Sequence, residues 1–374
     1  MGDQGQPPTA SVGGTSGSQT EHGTANESHI GDTYEVPKFE EHSSFTALKD
    51  RIRHHYELAS DYYYSLWGQH IHHAYFQSAD DTKETGQVNL IKLLLSISEL
   101  QENSTVLDVG CGIGGTTRHL ARELGCTVTG ITISGRQVAI ANRLTNEEAS
   151  SNGTTSTSTT ADSSTPETTS DTPAFHALGT KSGKVRFLEL DAEKMESRFN
   201  PASFDAVWIS EALSHFPDKP LFFRNAARVL KTGGGKLVIA DWFKADGAVL
   251  KDLEGGERDI KSIEDGMLLP PLKTQDEYVQ LAEAAGLKVL HPPKDISKDV
   301  AKTWYVNDSK ASSPAINSVL ITDISWQLIS SPSLWAFAIS QGRDGLAFLQ
   351  AFRAMRSGYA SGAFRYAVMA FEKA

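Results

Sequence analysis

A glycine-rich turn constrains the fold of this chain more than any other feature. The stretch "VLDVGCGIGGTTRHLA", residues 106–121, runs from apolar residues through Asp108 into glycines at 110, 112, 114 and 115, and then into a helical pattern. Glycine permits the tight turn and lets the N–H groups at the start of a helix approach a ligand closely. The stretch therefore predicts an α/β fold with a ligand at the end of this strand.

Short apolar stretches alternate with amphipathic ones along the chain. The stretches 104–110, 127–134, 184–190, 204–210 and 235–242 are rich in Val, Ile and Leu, which is typical of strands buried on both faces of a parallel sheet. Helical patterns lie between them, and "LKVLHPP" and "FRYAVMAFEK" supply two later strands. The alternation predicts a doubly wound, seven-stranded Rossmann-like α/β sheet. Lid helices precede the sheet in this prediction, and a helical cap at about 244–362 covers its strand ends.

Two segments lack the apolar residues that a core requires. Residues 1–40 and 147–183 are dominated by Ser, Thr, Gly and acidic side chains. Such composition does not offset the entropy lost on ordering. We expect a disordered tail and a disordered insertion within one domain that spans 41–374.

Composition excludes several classes of protein. The formal net charge is −11 and no run is dense in Lys or Arg, which argues against a nucleic-acid partner. Apolar runs fall short of the roughly 20 residues that a bilayer span needs, so no membrane span is expected. The amino terminus has no secretory pattern, and two cysteines exclude a disulfide framework. We expect a cytoplasmic protein, of an oligomeric state that the sequence leaves open.

The glycine turn has two interpretations as a nucleotide site. Glycines at 110, 112 and 115 fit the dinucleotide fingerprint, but an NAD site needs an acid about 20 residues later. The second strand ends "GITIS" without a carboxylate, and the acid is Asp108 instead. This arrangement resembles the first motif of class I S-adenosylmethionine (SAM) methyltransferases. A glycine turn without a ligand is the plain structural alternative.

Further motifs extend the resemblance over most of residues 50–374. "VTGITISGRQVAIAN" is similar to the second motif of a subgroup that includes tocopherol, sterol and mycolic-acid methyltransferases and cyclopropane synthases, and "LELDAEKM" and "FDAVWISEALSHFPDK" are similar to later motifs. The resemblance implies SAM as the co-substrate. The residues that it implies for SAM binding are Asp108, Gly110, Cys111, Gly112, Gly114, Thr132, Ser134, Gln137, Asp191, Ala192, Ser210, Tyr56 and Trp67.

A histidine-rich stretch before the first strand, "WGQHIHHAYF", resembles the segment that closes over SAM in the tocopherol methyltransferase branch. Ala74 replaces a glycine of that family, and Glu57, in the preceding helix, replaces an aspartate. Aromatic side chains of this region could stabilise the SAM sulfonium by cation–π contact. They are Tyr56, Tyr62, Tyr63 and Trp67.

The alternative for the histidines is a metal site. His72 and His73 are adjacent, and no Cys, Asp or Glu lies at a suitable ligand spacing from His70. We therefore expect no metal, and we expect these histidines to form part of a wall over the cofactor.

Three side chains are candidates for chemistry. His215 or His72 could act as the base for a hydroxyl acceptor, although a structural hydrogen bond is an equal interpretation of His215. Glu211 could be a base, a SAM contact or a support for a helix. Apolar cap residues suggest a hydrophobic acceptor, but they could equally be core residues. They are Trp242, Phe243, Met267, Leu268, Trp335 and Phe337.

The function that these observations favour is SAM-dependent methyl transfer to a small hydrophobic acceptor. A terpenoid, a prenylated aromatic or an alkaloid-like natural product would fit. A SAM-binding cyclase or pericyclase of the same fold and a non-catalytic SAM-binding protein are the alternatives. A protein acceptor is less favoured because the cap is apolar and the surface is acidic.

Overall fold

The structure is a computed structural model that describes residues 45–151, 172–304 and 342–374. Every described residue lies in one compact unit of the chain, Glu35–Ala374. The strands are β1 Thr105–Val109, β2 Thr127–Thr132, β3 His176–Leu178, β4 Gly183–Glu189, β5 Ala206–Ser210, β6 Gly235–Lys244, β7 Leu287–Asp295 and β8 Phe364–Lys373. The α-helices are α1 Phe45–Trp67, α2 Lys83–Ser98, α3 Gly115–Leu124, α4 Gly135–Ser151, α5 Met195–Arg198, α6 Lys219–Val229, α7 Gly247–Asp252, α8 Gly256–Gly266, α9 Gln275–Ala284, α10 Ser297–Val300 and α11 Gly342–Ser361.

The strands form one mixed sheet in the order β3-β4-β2-β1-β5-β6-β8-β7. Five neighbouring strands, in the order β4, β2, β1, β5 and β6, run parallel. Strand β8 pairs antiparallel with both β6 and β7. After β1 the chain goes first to β2 on one side and later to β5 on the other. This change of direction is a topological switch point, and it leaves a crevice at the carboxyl end of β1. The predicted doubly wound α/β fold is confirmed.

The described sheet has one strand more than the seven predicted. The additional strand, β3, has three residues and pairs antiparallel with β4 at the edge. It lies within the range 147–183 that we expected to be a disordered insertion, and α4 extends to Ser151 in the same range. Ordered elements therefore occupy both ends of that range. The sequence did not predict β3, because a strand of three residues is too short to show a pattern. Residues 152–171 and the tail 1–40 lie outside the described residues.

Both faces of the sheet are buried, as the apolar strands predicted. Side chains alternate along β1, so that Val106 joins a core with helix α2, whereas Leu107 joins a core with α6 and α9. In the region predicted as a cap, α8 packs on α11. In contrast, α9 and β7 pack against each other and belong to the sheet layer. None of the described helices has the length and apolar character that a bilayer span requires.

Candidate functional site

A cleft lies over the carboxyl ends of β1, β2, β4 and β5, beneath helix α1. It brings together most of the site residues that the sequence predicted, although they come from five separate parts of the chain. The predicted residues that line it are Tyr56, Gly110, Gly112, Thr132, Gln137, Asp191, Ala192, Ser210, Glu211 and His215. Asp108, Cys111, Gly114, Ser134, Trp67 and His72 are not among the lining residues.

The glycine turn presents bare backbone to this cleft. Gly112 has a φ of +54°, which favours glycine, and a Cβ at this position would point into open space. At Gly110 a Cβ would clash with the Cβ of Ala212. The Cys111 N–H donates to the Ile131 carbonyl oxygen at 3.0 Å, which fixes the turn to the end of β2.

Asp108 and Gly114 lie beneath the turn rather than on the cleft. Asp108 is 3 % exposed, and its Oδ2 accepts a hydrogen bond from the Thr117 hydroxyl at 2.5 Å. Burial raises the pKa of Asp108 to about 6, although the bond from Thr117 opposes this shift. Gly114 packs so closely on the Phe187 ring that a Cβ would clash. The two residues therefore shape and brace the turn.

The polar residues after β2 form a connected group. The Thr132 hydroxyl donates to Gln137 Oε1 at 2.5 Å, and both side chains line the cleft. Ser134 is fully buried, and its hydroxyl accepts from the Gln137 N–H at 3.1 Å. Ser134 thus caps the start of α4 and holds its two neighbours in place.

Helix α1 covers the cleft and is tied to it by charged side chains. Lys49 forms ion pairs with Asp191, at 3.0 Å, and with Glu193. At the start of α4, the Arg136 guanidinium makes two bonds to Asp61, of 2.8 and 2.7 Å. The Arg136 backbone N–H donates to Glu57 at 3.2 Å. Glu57, which replaces an aspartate of the family, therefore links α1 to the start of α4. These contacts place α1 as the lid that the sequence predicted.

The histidine-rich stretch differs from our expectation of a wall over the cofactor, because none of His70, His72 and His73 lines the cleft. His72 is buried away from the cleft, and its Nδ1 lies 2.9 Å from the His73 carbonyl oxygen. Burial lowers the pKa of His72. Trp67 is also absent from the cleft lining, and its ring packs 6.2 Å from that of His73. The side chains of Tyr62 and Tyr63 lie outside the described residues.

His73 is the functional candidate that the sequence did not distinguish from its neighbour. Its backbone N–H donates to Glu211 Oε1 at 2.6 Å, and its Nδ1 lies 3.0 Å from Glu211 Oε2. The Tyr366 hydroxyl donates to Glu211 Oε1 at 2.8 Å, and the Tyr359 hydroxyl lies 3.2 Å from His73 Nε2. Four buried side chains, from the histidine-rich stretch, the turn after β5, α11 and β8, thus form one polar network.

His215 lies in a 3₁₀ turn after β5 and faces the lid. Its Nε2 is 3.2 Å from the Tyr56 hydroxyl, and its ring packs 6.1 Å from that of Trp242. Trp242 therefore packs beside His215, although it is not among the residues that line the cleft. The next residue along β6, Phe243, packs on Tyr278 at 4.7 Å on the opposite face. Phe243 is therefore a core residue, which is the alternative that the sequence left open, and not a cap residue.

The other predicted cap residues lie away from the cleft. Met267 and Leu268 are partly buried and are not among its lining residues. Trp335 and Phe337 lie outside the described residues. In the described part of the chain, no three His, Cys, Asp or Glu side chains are grouped as a metal ion would require.

Comparison with known proteins relates this geometry to characterised families. A family model described as mycolic acid cyclopropane synthetase matches residues 43–160, and a methyltransferase domain model matches residues 107–239. A probable chloroplastic tocopherol O-methyltransferase of Oryza sativa subsp. japonica is 28% identical over 274 residues, which cover 69% of this chain and 64% of the relative. The chain therefore spans just under two thirds of that relative's length.

Two other relatives and one solved structure agree with these matches. The chloroplastic tocopherol O-methyltransferase of Arabidopsis thaliana is 25% identical over 88% of this chain and 84% of its own length. The 2-methyl-6-phytyl-1,4-hydroquinone methyltransferase of Synechocystis is 35% identical over 48% of this chain and 46% of its own length. The crystal structure of a mycolic acid cyclopropane synthase with S-adenosylhomocysteine (SAH) has a TM-score of 0.61 at 18% identity, covering 87% of this chain and 98% of that one.

Proposed function

We propose that this chain is a class I SAM-dependent methyltransferase, similar to the tocopherol and sterol methyltransferases, and that it transfers a methyl group from SAM to a small hydrophobic acceptor. The observation that carries this proposal is the glycine turn. Gly112 exposes its backbone to a cleft that Thr132, Gln137 and Asp191 also line.

The residues of the cleft fit the parts of SAM. The bare backbone at Gly112 leaves room for the methionine part, since a side chain there would project into the cleft. Thr132 and Gln137 would bond the ribose with neutral groups, and Asp191, beside Ala192, would meet the adenine. SAM would supply a methyl carbon that is attacked in line as its bond to sulfur breaks and sulfur keeps the electron pair.

We assign the base to His215 rather than to His72. An acceptor hydroxyl must lose a proton as its oxygen attacks the methyl carbon, and His215 lines the cleft, whereas His72 does not. The Tyr56 hydroxyl, 3.2 Å from His215 Nε2, fixes the orientation of the imidazole ring. Glu211 is engaged by His73 and Tyr366 and is therefore less suited to accept a proton.

We propose a prenylated aromatic as the acceptor. The aromatic rings of Tyr56 and Trp242 flank His215, and an aromatic acceptor could pack against such rings. One relative is named for a hydroquinone with a phytyl chain, which supports this choice over an alkaloid. With such an acceptor, the protein would act in the biosynthesis of a natural product.

We also propose a cytoplasmic location, which the low cysteine content supports. Because two plant relatives are named as chloroplastic, a fluorescent fusion imaged in the source cells tests this proposal directly. Signal confined to an organelle would contradict it.

The experiment that tests the activity uses SAM with an isotopically labelled methyl group. The protein is incubated with phytyl hydroquinones, sterols and prenyl alcohols, and SAH and product masses are measured. We expect one SAH per product and a labelled methyl on the product. A product isomerised without a mass gain would identify a cyclase instead. Failure to bind SAM or SAH would overturn the proposal altogether.

A further inference from the structure

Glu211 has a backbone conformation that is rare for its residue type. It follows the last residue of β5 and has a φ of +53°, in the left-handed region that favours glycine. A residue other than glycine remains there only when its surroundings fix it, and such residues cluster at ligand sites. The contacts of the carboxylate show what fixes this one.

Three donors hold the Glu211 carboxylate at both oxygens. Oε1 accepts from the His73 backbone N–H at 2.6 Å and from the Tyr366 hydroxyl at 2.8 Å, and Oε2 lies 3.0 Å from His73 Nδ1. The side chain is only 8% exposed. Burial by itself would raise the pKa of Glu211, but the contacts with His73 outweigh it, so the pKa lies below its usual value. The site therefore contains a fixed, buried negative charge.

Glu211 lies at the cleft, and its charged partner is a histidine rather than a lysine or an arginine. Glu211 lines the cleft together with Gly110 and Gly112, because β5 is the neighbour of β1 in the sheet. Among the described residues its ion-pair partner is His73, and no lysine or arginine pairs with it. A buried carboxylate attracts a positively charged ligand strongly, since water does not screen the interaction.

We propose that Glu211 recognises the positive charge of SAM, so that the site prefers the sulfonium over the neutral thioether of SAH, and that His73 and Tyr366 are the positioning residues that hold it. This inference rests on the proposed function, because it concerns the same cleft. Glu211 could instead bind a positive charge on the acceptor, and the experiment below distinguishes this role from recognition of SAM. A preference of this kind would favour release of the spent SAH.

The test is to measure the affinities of the full-length protein for SAM and for SAH by calorimetry. In Glu211→Gln we expect the affinity for SAM to fall about tenfold or more, as the loss of one charge contact implies. The affinity for SAH should stay within about threefold, because its sulfur carries no charge. The matched control is Asp241→Asn, which removes another buried carboxylate, bonded to Tyr278 at 2.9 Å, that does not line the cleft. It should leave the ratio of the two affinities unchanged.

A second pair of variants keeps the test valid if Glu211→Gln does not fold. Asn and Asp tolerate the left-handed region better than most residues, so Glu211→Asn and Glu211→Asp are expected to fold. They differ almost only in charge, and only the Asp variant should retain a preference for SAM. Tyr366→Phe keeps the charge but removes one of the two hydrogen bonds to Oε1, and it should reduce the ratio of SAM to SAH affinity by a smaller factor.

Two outcomes would overturn the inference while leaving the proposed function intact. An equal loss of SAM and SAH affinity in Glu211→Gln would show a purely structural role. An unchanged ratio with a large fall in kcat would show that the charge serves the acceptor. If the wild-type protein binds neither compound, it is the proposed function that fails.

Discussion

The Thr117 hydroxyl donates a 2.5 Å hydrogen bond to Asp108 Oδ2 and thereby joins the first turn of α3 to β1 beneath the glycine turn. Both side chains are buried. Burial raises the pKa of Asp108 to about 6, and the bond from Thr117 limits this rise. Thr117, through its hydroxyl and its backbone N–H, therefore favours the charged form of Asp108 below the turn.

The first prediction concerns the pH dependence of SAM binding. We expect the affinity of the wild type to fall as the pH decreases through about 6, where Asp108 becomes protonated and loses its charge. In Thr117→Val the fall should begin at a higher pH, because the bond that favours the charged form is absent. Asp108→Asn should bind weakly throughout. Calorimetric titrations between pH 5 and pH 8 measure these profiles.

A matched variant controls for the loss of a buried hydroxyl. Thr145 is equally buried, but its hydroxyl donates to the Ala141 carbonyl oxygen within α4. Thr145→Val should leave the midpoint of the pH profile where it is in the wild type. An identical shift in both variants would mean that the effect does not act through Asp108.

The second prediction separates backbone strain from blockage of the cleft. Gly112 and Gly233 have φ values of +54° and +74°, and a Cβ at either position would meet no atom. Alanine at either site should cost about 1–2 kcal/mol of stability, because both need the left-handed region. Only Gly112→Ala should also weaken SAM binding, since only Gly112 lines the cleft. Equal SAM affinities in the two variants would contradict the position that we assign to the cofactor.

The third prediction tests the base. His215→Asn should lower kcat by about 10²–10⁴-fold, the usual contribution of a general base, and leave SAM affinity nearly unchanged. Tyr56→Phe should shift the pH profile of kcat, because it removes the group 3.2 Å from His215 Nε2. His72→Asn is the control and should retain kcat, since His72 does not line the cleft. A greater loss in His72→Asn than in His215→Asn would reverse the assignment.

The fourth prediction concerns stability in acid. Burial, followed by the charge of Arg122, lowers the pKa of His119 from 6.5 to about 4. The unfolded chain then binds this proton more tightly than the folded chain, so stability falls as the pH is lowered from 6.5 towards 4. By pH 4, the lowered pKa of His119 reduces the free energy of unfolding by about 3 kcal/mol.

Urea unfolding of wild type and of His119→Asn at several pH values measures this contribution. At pH 7.5 the difference in stability between the two proteins reflects packing alone. Below pH 6.5 the variant should lose stability less steeply than the wild type. Parallel curves over the whole range would show that His119 is protonated equally in both states.

The sequence predicted those parts of the site that lie within one short stretch. The turn from Asp108 to Gly114 and the group from Thr132 to Gln137 are contiguous, so their motifs define both the residues and their relation to a strand end. The doubly wound sheet was predictable for the same reason, because each apolar strand is marked by its own composition.

Contacts between distant residues were not predictable. His73 and Glu211 are 138 positions apart, and nothing in the pair His72–His73 indicates which ring turns towards β5. Trp242 and Phe243 were grouped together because both are aromatic, but adjacent residues of a strand face opposite sides. The layers that pack on the two faces of the sheet decide which of them lies beside His215.

The last prediction concerns the Ser/Thr-rich tract. Replacing residues 152–171 by a short Gly-Ser linker should leave SAM affinity within about twofold of wild type, because this composition offers little apolar surface to pack. Replacing the whole range 147–183 should be destabilising, since it removes the end of α4 and all of β3, which pairs with β4. Thermal unfolding and SAM calorimetry on both variants measure the difference. A large loss of SAM affinity in the shorter replacement would show that the tract takes part in the site.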